Sequence, residues 1–284
     1  MGSLAKKFYQ YQKERFPLAF ISITTLSVIF SSFAVLNSQL SWPSTLACYF
    51  AVLSYLLHIR LIDDQRDLEH DNLHHNNNAL QTGVINLSEI KQLDIFTLVI
   101  FFVCSIFLGT KAGLLAIGVA IFTQFASTPM MMGLKKYMLT YNIFNTIQAA
   151  LLQIFIYYSF SNNIAIASLP FAHLAFVYLS TFNLDILRGS QSPEENHSGK
   201  DSYTWRFGFA KSLALGAFFE IIIFILFLFI CKFNLLALLG ATTTAILLTI
   251  LWQYRKNYKL FNLLLVSKMA NYATLNFLIY FSLR

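Results

Sequence analysis

The sequence predicts an all-α, polytopic membrane protein. Of its 284 residues, 57% are hydrophobic and only 12% are charged, and the mean hydropathy is +0.59. An ordinary soluble domain carries about twice that charged fraction. Apolar runs of about 20 residues, the length that a helix needs to cross a hydrocarbon layer of about 30 Å, recur along the whole chain. Together these observations exclude a soluble globular fold.

Nine of the apolar runs are predicted as membrane-spanning helices. The first run lacks a clear small-residue cleavage site, so we interpret it as a retained helix and not as a signal peptide. The third and fourth are separated only by Gly-Thr-Lys-Ala-Gly at 109–113. The spans are predicted near 17–37, 42–61, 93–110, 111–128, 139–160, 164–186, 210–231, 234–253 and 260–281.

The basic residues are distributed unevenly between the two sides of these spans. With the N-terminus in the cytoplasm, 16 of the 20 lysines and arginines lie on the cytoplasmic side, 3 on the opposite side, and Lys268 within the last span. This asymmetry follows the positive-inside rule and predicts a cytoplasmic N-terminus. It also explains the net charge of +7 by topology and anionic lipid rather than by nucleic acid. Residues 1–16 are predicted as an interfacial helix.

Nine of the thirteen acidic residues lie in two short polar stretches, both on the predicted cytoplasmic side. Carboxylates this concentrated repel one another without a counter-ion, and hard oxygen ligands suit Mg²⁺ together with water and a substrate phosphate. We therefore predict a metal-dependent site at the membrane surface. The alternative is a solvated loop with incidental charge, which the scarcity of acids elsewhere disfavours. The stretches contain Asp63, Asp64, Asp67, Glu69 and Asp71, and Asp185, Glu194, Glu195 and Asp201.

The first stretch has a helical spacing. Asp63, Asp67 and Asp71 follow one another at four-residue intervals, which places them on one face if the second span continues as a helix. Asp64 borders the same face. A charge at the bilayer centre costs roughly 2.5–3.5 kcal/mol, so these carboxylates are expected at the end of the helix, facing water.

The second stretch begins at the end of the sixth span. Gly189 and Pro193 predict that this helix ends near Arg188, with Asp185 in its last turn. Asp185 is placed to complete a metal site with Asp63 and Asp67, while Arg188 either binds phosphate or forms a simple ion pair with Asp185. The pair Lys135-Lys136 in another cytoplasmic connection is either a diphosphate contact or an orientation signal.

These motifs resemble those of the UbiA superfamily of intramembrane prenyltransferases. Residues 63–71 match its N/D-D-x-x-D-x-x-x-D motif, and residues 79–85 resemble the R-P-L-x-x-G-x-I continuation, with Asn78 in place of the arginine. Residues 185–203 fit a variant second motif, roughly E-I-x-R-K-x-R-x-P-E-D-E-x-x-G-x-D-T-Y. In the common second motif, aspartates stand where this chain has Gly189 and Pro193.

The resemblance implies one domain over 1–284, with about nine helices bundled around a central lipid-open cavity and active-site loops at 62–92 and 187–209. It implies Mg²⁺-dependent ionisation of a prenyl diphosphate and transfer of the isoprenoid cation to an acceptor. The implied metal ligands are Asp63, Asp67 and Asp185, which are also the catalytic residues, together with Asp64, Asp71 and Glu194; the implied diphosphate contacts are Lys135, Lys136 and Arg188.

Two other functions compete with a transferase. The first is a terpene cyclase of the same superfamily, which converts a prenyl diphosphate without any acceptor. The second is a membrane transporter, but transport sites usually place ionisable groups near the midplane of the bilayer. Only Glu220 lies well inside a predicted span among the acids of this chain, so the sequence favours an enzyme. The prenyl length, the acceptor and the oligomeric state stay open.

Overall fold

The computed structural model describes residues 4–39, 41–74, 78–128, 131, 133, 137–161, 163–192 and 202–284, and all the regular secondary structure within them is helical. The α-helices within these ranges are α1 Leu4–Arg15, α2 Leu18–Val35, α3 Trp42–Arg66, α4 Leu68–His74, α5 Leu87–Phe107, α6 Thr110–Ala126, α7 Met138–Asn145, α8 Ile147–Phe160, α9 Phe171–Arg188, α10 Tyr203–Phe207, α11 Phe209–Ile230, α12 Leu236–Tyr254 and α13 Phe261–Leu283. Short 3₁₀ turns occur at Ile166–Ser168 and Tyr258–Leu260.

Each of the nine predicted spans coincides with a helix or, for the fifth, with the successive helices α7 and α8. Within the described ranges, six segments are long and apolar enough to cross a membrane: α2, α3, α5, α7 with α8, α11 and α12. Helix α6 is apolar but shorter, at 17 residues. Helices α9 and α13 carry buried polar residues such as Asn183 and Lys268, which lower their hydropathy. The all-α, polytopic membrane fold is confirmed, while the count of nine spans stays a prediction.

Large apolar side chains cover the outer faces of the long helices. Val103, Ile106 and Phe107 on α5 and Phe229 on α11 are exposed. Patches of this extent would drive aggregation in water. They are the expected surface of a protein whose solvent is lipid, and the chain is therefore an integral membrane protein.

The described chain divides into two compact units. Unit 1 comprises Met1–Leu26 and Ser41–Thr128, and unit 2 comprises Ser27–Leu40 and Pro129–Arg284. In unit 1, α3 packs along α5, and α6 follows α5 after a tight turn at Gly109, whose φ of 118° favours glycine. A hydrogen bond of 2.5 Å between the hydroxyls of Tyr55 and Thr123 ties α3 to α6.

Unit 2 is built around α9, α11, α12 and α13. Helix α9 packs mainly on α11, and α12 on α13. Phe176, Phe227 and Leu275 belong to one apolar core cluster of this unit. Buried polar side chains in the same unit are joined to each other, for example Tyr157 to His173 at 2.8 Å. Such pairing is required because no water is present inside an apolar bundle to satisfy these groups.

The predicted N-terminal helix is present as α1, and it packs against the protein. Tyr11 is fully buried in a cluster with Leu61, Ile85 and Ile90, and Phe8 packs against the same cluster. Helix α1 therefore lies on the end of unit 1 at which the first acidic stretch begins. Its contact with the membrane interface stays a prediction.

The single helix on which that four-residue spacing depends does not run through the whole first acidic stretch. Helix α3 ends at Arg66, and Asp67 follows it with φ −91° and ψ 13°. A separate short helix, α4, begins at Leu68. The predicted loop 62–92 is thus largely helical, since α3 extends into it and α5 starts at Leu87 with a capping box formed by Asn86 and Glu89.

Candidate active site

Exposure to solvent separates the aspartates of the first stretch into two pairs. The side chains of Asp64 and Asp71 are 3% and 11% exposed. Those of Asp63 and Asp67 are 34% and 29% exposed. Two carboxylates of the motif are therefore held inside the protein, and the other two are partly exposed to solvent.

Asp64 is the centre of a charged cluster at the end of unit 1. Its Oδ1 accepts hydrogen bonds from Arg15 Nη2 at 2.6 Å and from Arg60 Nη2 at 2.5 Å. Its Oδ2 accepts a hydrogen bond of 2.6 Å from the hydroxyl of Tyr11. Burial, and then the nearby Asp64 carboxylate, raise the pKa of Tyr11, so this hydroxyl remains a donor. Three donors from α1 and α3 thus fix Asp64 in one orientation.

Asp71 is attached to the same cluster through Arg15. Arg15 Nη2 lies 3.2 Å from Asp71 Oδ2, and Asn78 Nδ2 donates to the same oxygen at 3.3 Å. Burial alone would lower the pKa of Arg15, but the hydrogen bond and charge of Asp64, together with the charge of Asp71, raise it. Arg15 therefore stays charged and links α1 to both α3 and α4.

The guanidinium of Arg66 bridges the outer pair, Asp63 and Asp67. Arg66 Nη2 lies 2.9 Å from Asp63 Oδ1 and 2.8 Å from Asp67 Oδ2, and Arg66 Nε donates to Asp67 Oδ1 at 3.0 Å. Two carboxylates that can share one guanidinium are close enough to share another positive charge. Each is at the end of α3 or directly after it, and each is partly exposed.

Carboxylate oxygens at Asp63 and Asp67 fit Mg²⁺ as a donor set. This ion usually takes one or two carboxylates, several waters and substrate phosphates rather than a dedicated protein cage. Among the described residues, no group of three or more histidine, cysteine, aspartate or glutamate side chains is placed to hold a metal ion. The roles of Asp63, Asp64, Asp67 and Asp71 as ligands stay predictions.

The second acidic stretch begins in unit 2, in the last turn of α9. This helix ends at Arg188 and is followed by Gly189, as predicted. Asp185 Oδ1 and Arg188 Nη1 are 3.9 Å apart, and both side chains are partly exposed. An exposed ion pair of this kind contributes about 0–1 kcal/mol. The simple ion pair is thus present, but it is too weak to prevent either side chain from binding a ligand.

The chain after α9 is anchored by α10. Gly189 O accepts a backbone hydrogen bond from Tyr203 N at 2.7 Å, and Thr204 Oγ1 donates to Gln191 O at 2.6 Å. Burial, with a contribution from the negative charge of Asp185, raises the pKa of Tyr203 to about 12. The neutral, buried Tyr203 therefore packs beneath the last turn of α9.

Gly189→Ala is expected to destabilise this anchor. A Cβ at position 189 would lie 2.7 Å from Cδ2 of the buried Tyr203 ring and 3.3 Å from Cε of Met138. Overpacking of this kind costs about 1–3 kcal/mol. Denaturant unfolding in mixed micelles checks the value. Gly118→Ala, at a position with nothing within 4 Å of the added Cβ, is the matched control, and an equal effect of both substitutions would contradict the anchor.

Other predicted site residues lie outside the described ranges. These residues are Lys135, Lys136, Glu194, Glu195 and Asp201. The predicted loop 187–209 is described at both ends, where it contains the end of α9 and the whole of α10. The roles of Lys135, Lys136 and Glu194 stay predictions.

The four acids outside the two stretches all have structural contacts. Glu14 accepts from the backbone N–H of Ala79, Glu89 pairs with Lys7, Asp94 with His58, and Glu220 with Lys268.

Sequence reasoning missed the basic and aromatic partners of the acidic motif. Arg15 and Tyr11 precede Asp64 by about 50 positions, and no local spacing connects them. One partner could have been found from the sequence. Arg60 stands four residues before Asp64, and side chains at this spacing on a helix are in contact.

Comparison with known proteins identifies the family and the fold of the chain. The model of the UbiA prenyltransferase family matches residues 19–271. A search of curated proteins finds no significant match. Similar solved structures include a UbiA homologue from Aeropyrum pernix K1, at 15% identity over 92% of this chain and 96% of that one, with a TM-score of 0.71.

Two further structures have the same fold. One concerns a digeranylgeranylglyceryl phosphate synthase, at 19% identity over 96% of this chain and 98% of that one, with a TM-score of 0.63. The other is a UbiA homologue from Archaeoglobus fulgidus bound to GPP and Mg²⁺, at 15% identity, 96% and 98% coverage, and a TM-score of 0.60. With the family model covering most of its length, this chain belongs to the UbiA prenyltransferase family.

Proposed function

We propose that this protein is a Mg²⁺-dependent intramembrane prenyltransferase that ionises a prenyl diphosphate and transfers the isoprenoid group to an acceptor. The observation that carries the proposal is the partly exposed pair Asp63 and Asp67, set apart from the buried Asp64 and Asp71 in the same motif. Family membership supports the reaction class and favours an enzyme over a transporter. Relatives solved with GPP or DMAPP and Mg²⁺ support the substrate class.

The proposed ligands are the carboxylates of Asp63, Asp67 and Asp185, with Glu194 as a further ligand. Mg²⁺ bound to them would stabilise the negative charge that grows on the diphosphate as its C–O bond breaks. Asp64 and Asp71 would act mainly through water or through neighbouring side chains rather than by direct contact with the metal, since Arg15 is hydrogen-bonded to both of them. The proposed diphosphate contacts are Lys135, Lys136 and Arg188.

Arginine side chains pair with the aspartates of the first motif in the protein without substrate. Arg15 and Arg60 neutralise Asp64, so the buried part of the motif does not add repulsion to the outer carboxylates. Arg66 offsets part of the negative charge of Asp63 and Asp67, and a diphosphate would offer this guanidinium a further anionic partner. The prenyl chain is apolar and is expected to remain among apolar side chains. We propose that the site and the N-terminus face the cytoplasm, following the sidedness of the basic residues.

Product analysis tests the reaction. The purified protein is incubated in liposomes with geranyl, farnesyl or geranylgeranyl diphosphate, with Mg²⁺ or with EDTA. Parallel samples contain a quinone precursor, a haem, a lipid glycerol or a small aromatic acid as the acceptor. We expect an adduct of acceptor and prenyl group that requires Mg²⁺. A cyclic hydrocarbon or alcohol formed equally well without acceptor would replace the transferase by a cyclase, and the absence of any product would contradict both.

A further inference from the structure

A charged pair lies buried in the membrane-spanning part of unit 2. Lys268 Nζ on α13 lies 2.5 Å from Glu220 Oε2 on α11, and both side chains are almost completely buried. Removing two charges from water costs several kcal/mol for each ion, and their attraction often does no more than offset that cost. Charged groups inside membrane-spanning segments are accordingly rare and usually serve a function. The pair therefore calls for an explanation other than stability.

Two buried amides complete the surroundings of Glu220. Asn183 Nδ2 on α9 donates to Glu220 Oε2 at 2.8 Å, and Asn271 Nδ2 on α13 donates to Oε1 at 2.9 Å. The Oδ1 atoms of both asparagines are buried without a hydrogen-bond partner in the described part of the chain. Glu220 thus collects donors from two helices, and one of these donors lies two residues before Asp185.

A close contact between helices brackets the same turn of α9. A Cβ at Gly216 on α11 would lie 2.6 Å from Leu187 Cδ2 and 3.7 Å from Asn183 Oδ1. Glycine at this position lets the last turns of α9 approach the backbone of α11. Asn183 and Leu187 are therefore both held against α11, one on each side of Asp185 in the sequence.

We infer that Glu220, with its charge balanced by Lys268, is a positioning residue that fixes the end of α9 through Asn183 and thereby orients Asp185. The inference rests on the proposed role of Asp185 as a metal ligand. Glu220 is too deeply buried to touch the substrate, so it acts through α9. Groups that hydrogen-bond directly to a metal ligand change metal affinity or activity about 10- to 100-fold when they are removed, and for this less direct contact we expect the lower end of that range.

Two double variants separate positioning from stability. Glu220→Gln with Lys268→Met removes both charges but keeps an oxygen that accepts from Asn183, and its new N–H can donate to Asn271 Oδ1. Glu220→Met with Lys268→Met removes the charges and the acceptor together. Neither variant leaves an unpaired buried charge. Gln153→Met, which removes a buried donor to Ser32 elsewhere in unit 2, is the control.

The measured quantity is the Mg²⁺ concentration that gives half-maximal binding of geranyl S-thiolodiphosphate, with thermal unfolding as a check of folding. We expect Glu220→Met with Lys268→Met to need at least about tenfold more Mg²⁺ than wild type. Glu220→Gln with Lys268→Met, and the control Gln153→Met, should need nearly the same Mg²⁺ concentration as wild type. Equal Mg²⁺ requirements in the two double variants would overturn the inference.

Asn183→Leu is the second test, because it removes the donor and leaves the ion pair in place. It is expected to need about tenfold more Mg²⁺ than wild type, and it decides the matter if either double variant does not fold. If Asn183→Leu needed no more Mg²⁺ than wild type, the inference would be overturned and the proposed function would stand. A wild-type protein that binds no prenyl diphosphate would overturn the proposed function, and the inference with it.

Discussion

Replacing Asp67 with asparagine is expected to reduce turnover by roughly 10²–10³-fold or more, the loss seen when one electrostatic contact to the transition state is removed. The change removes one negative charge from the outer pair of the first acidic motif. Folding should be preserved, since the side chain of Asp67 is 29% exposed and its ion pair with Arg66 is near the surface. Pairs of that kind contribute about 0–1 kcal/mol.

The measurement is initial rate against Mg²⁺ concentration, with the unfolding midpoint of the same sample. Glu69→Gln is the matched control, because Glu69 is an exposed acid two residues from Asp67 and has no proposed contact with the metal. It removes the same charge from the same short segment. Near-normal activity of Asp67→Asn, or an equal loss in Glu69→Gln, would contradict the assignment of Asp67 as a ligand.

Replacing Asp64 with asparagine is expected to act mainly on stability. The substitution leaves the guanidinium groups of Arg15 and Arg60 beside a neutral amide and weakens the hydrogen bond from Tyr11. Removing one partner from a buried pair costs about 3–5 kcal/mol. Because both arginines retain some exposure, we expect a loss of about 3 kcal/mol, at the lower end of that range.

Denaturant unfolding in mixed micelles measures this loss, and Asp63→Asn provides the comparison. Asp63 is the residue directly before Asp64, but its side chain is 34% exposed. Its replacement should change the free energy of unfolding by less than about 1 kcal/mol. If Asp64→Asn were as stable as Asp63→Asn, the division of the motif into buried and available carboxylates would be wrong.

Much of the fold could be predicted from the sequence, because an apolar run that crosses a lipid bilayer must satisfy its own backbone hydrogen bonds and therefore forms a helix. Every long apolar run became a helix, and the short interruption at Gly109 became the turn between α5 and α6. The acidic spacing at residues 63–71 identified the motif and its position at the end of a helix. These features depend on composition and local spacing alone.

The internal division of that motif could not be predicted, since it depends on contacts between residues far apart in the chain. Continuous helical spacing placed Asp71 on the face of Asp63 and Asp67, whereas the chain breaks at Asp67 and Asp71 turns toward Arg15 on α1. The pairing of Glu220 with Lys268 joins residues 48 positions apart. The sequence places Glu220 and Lys268 inside predicted spans, but no local spacing connects them.

The central claim is that the acidic motifs of this chain hold a prenyl diphosphate through Mg²⁺. Calorimetric titration of the purified protein with geranyl S-thiolodiphosphate, which binds without turning over, tests it most directly. We predict binding in Mg²⁺ that is lost in EDTA and in Asp67→Asn but kept in Glu69→Gln. Binding of equal strength in Mg²⁺ and EDTA, or no binding in either, would contradict the claim.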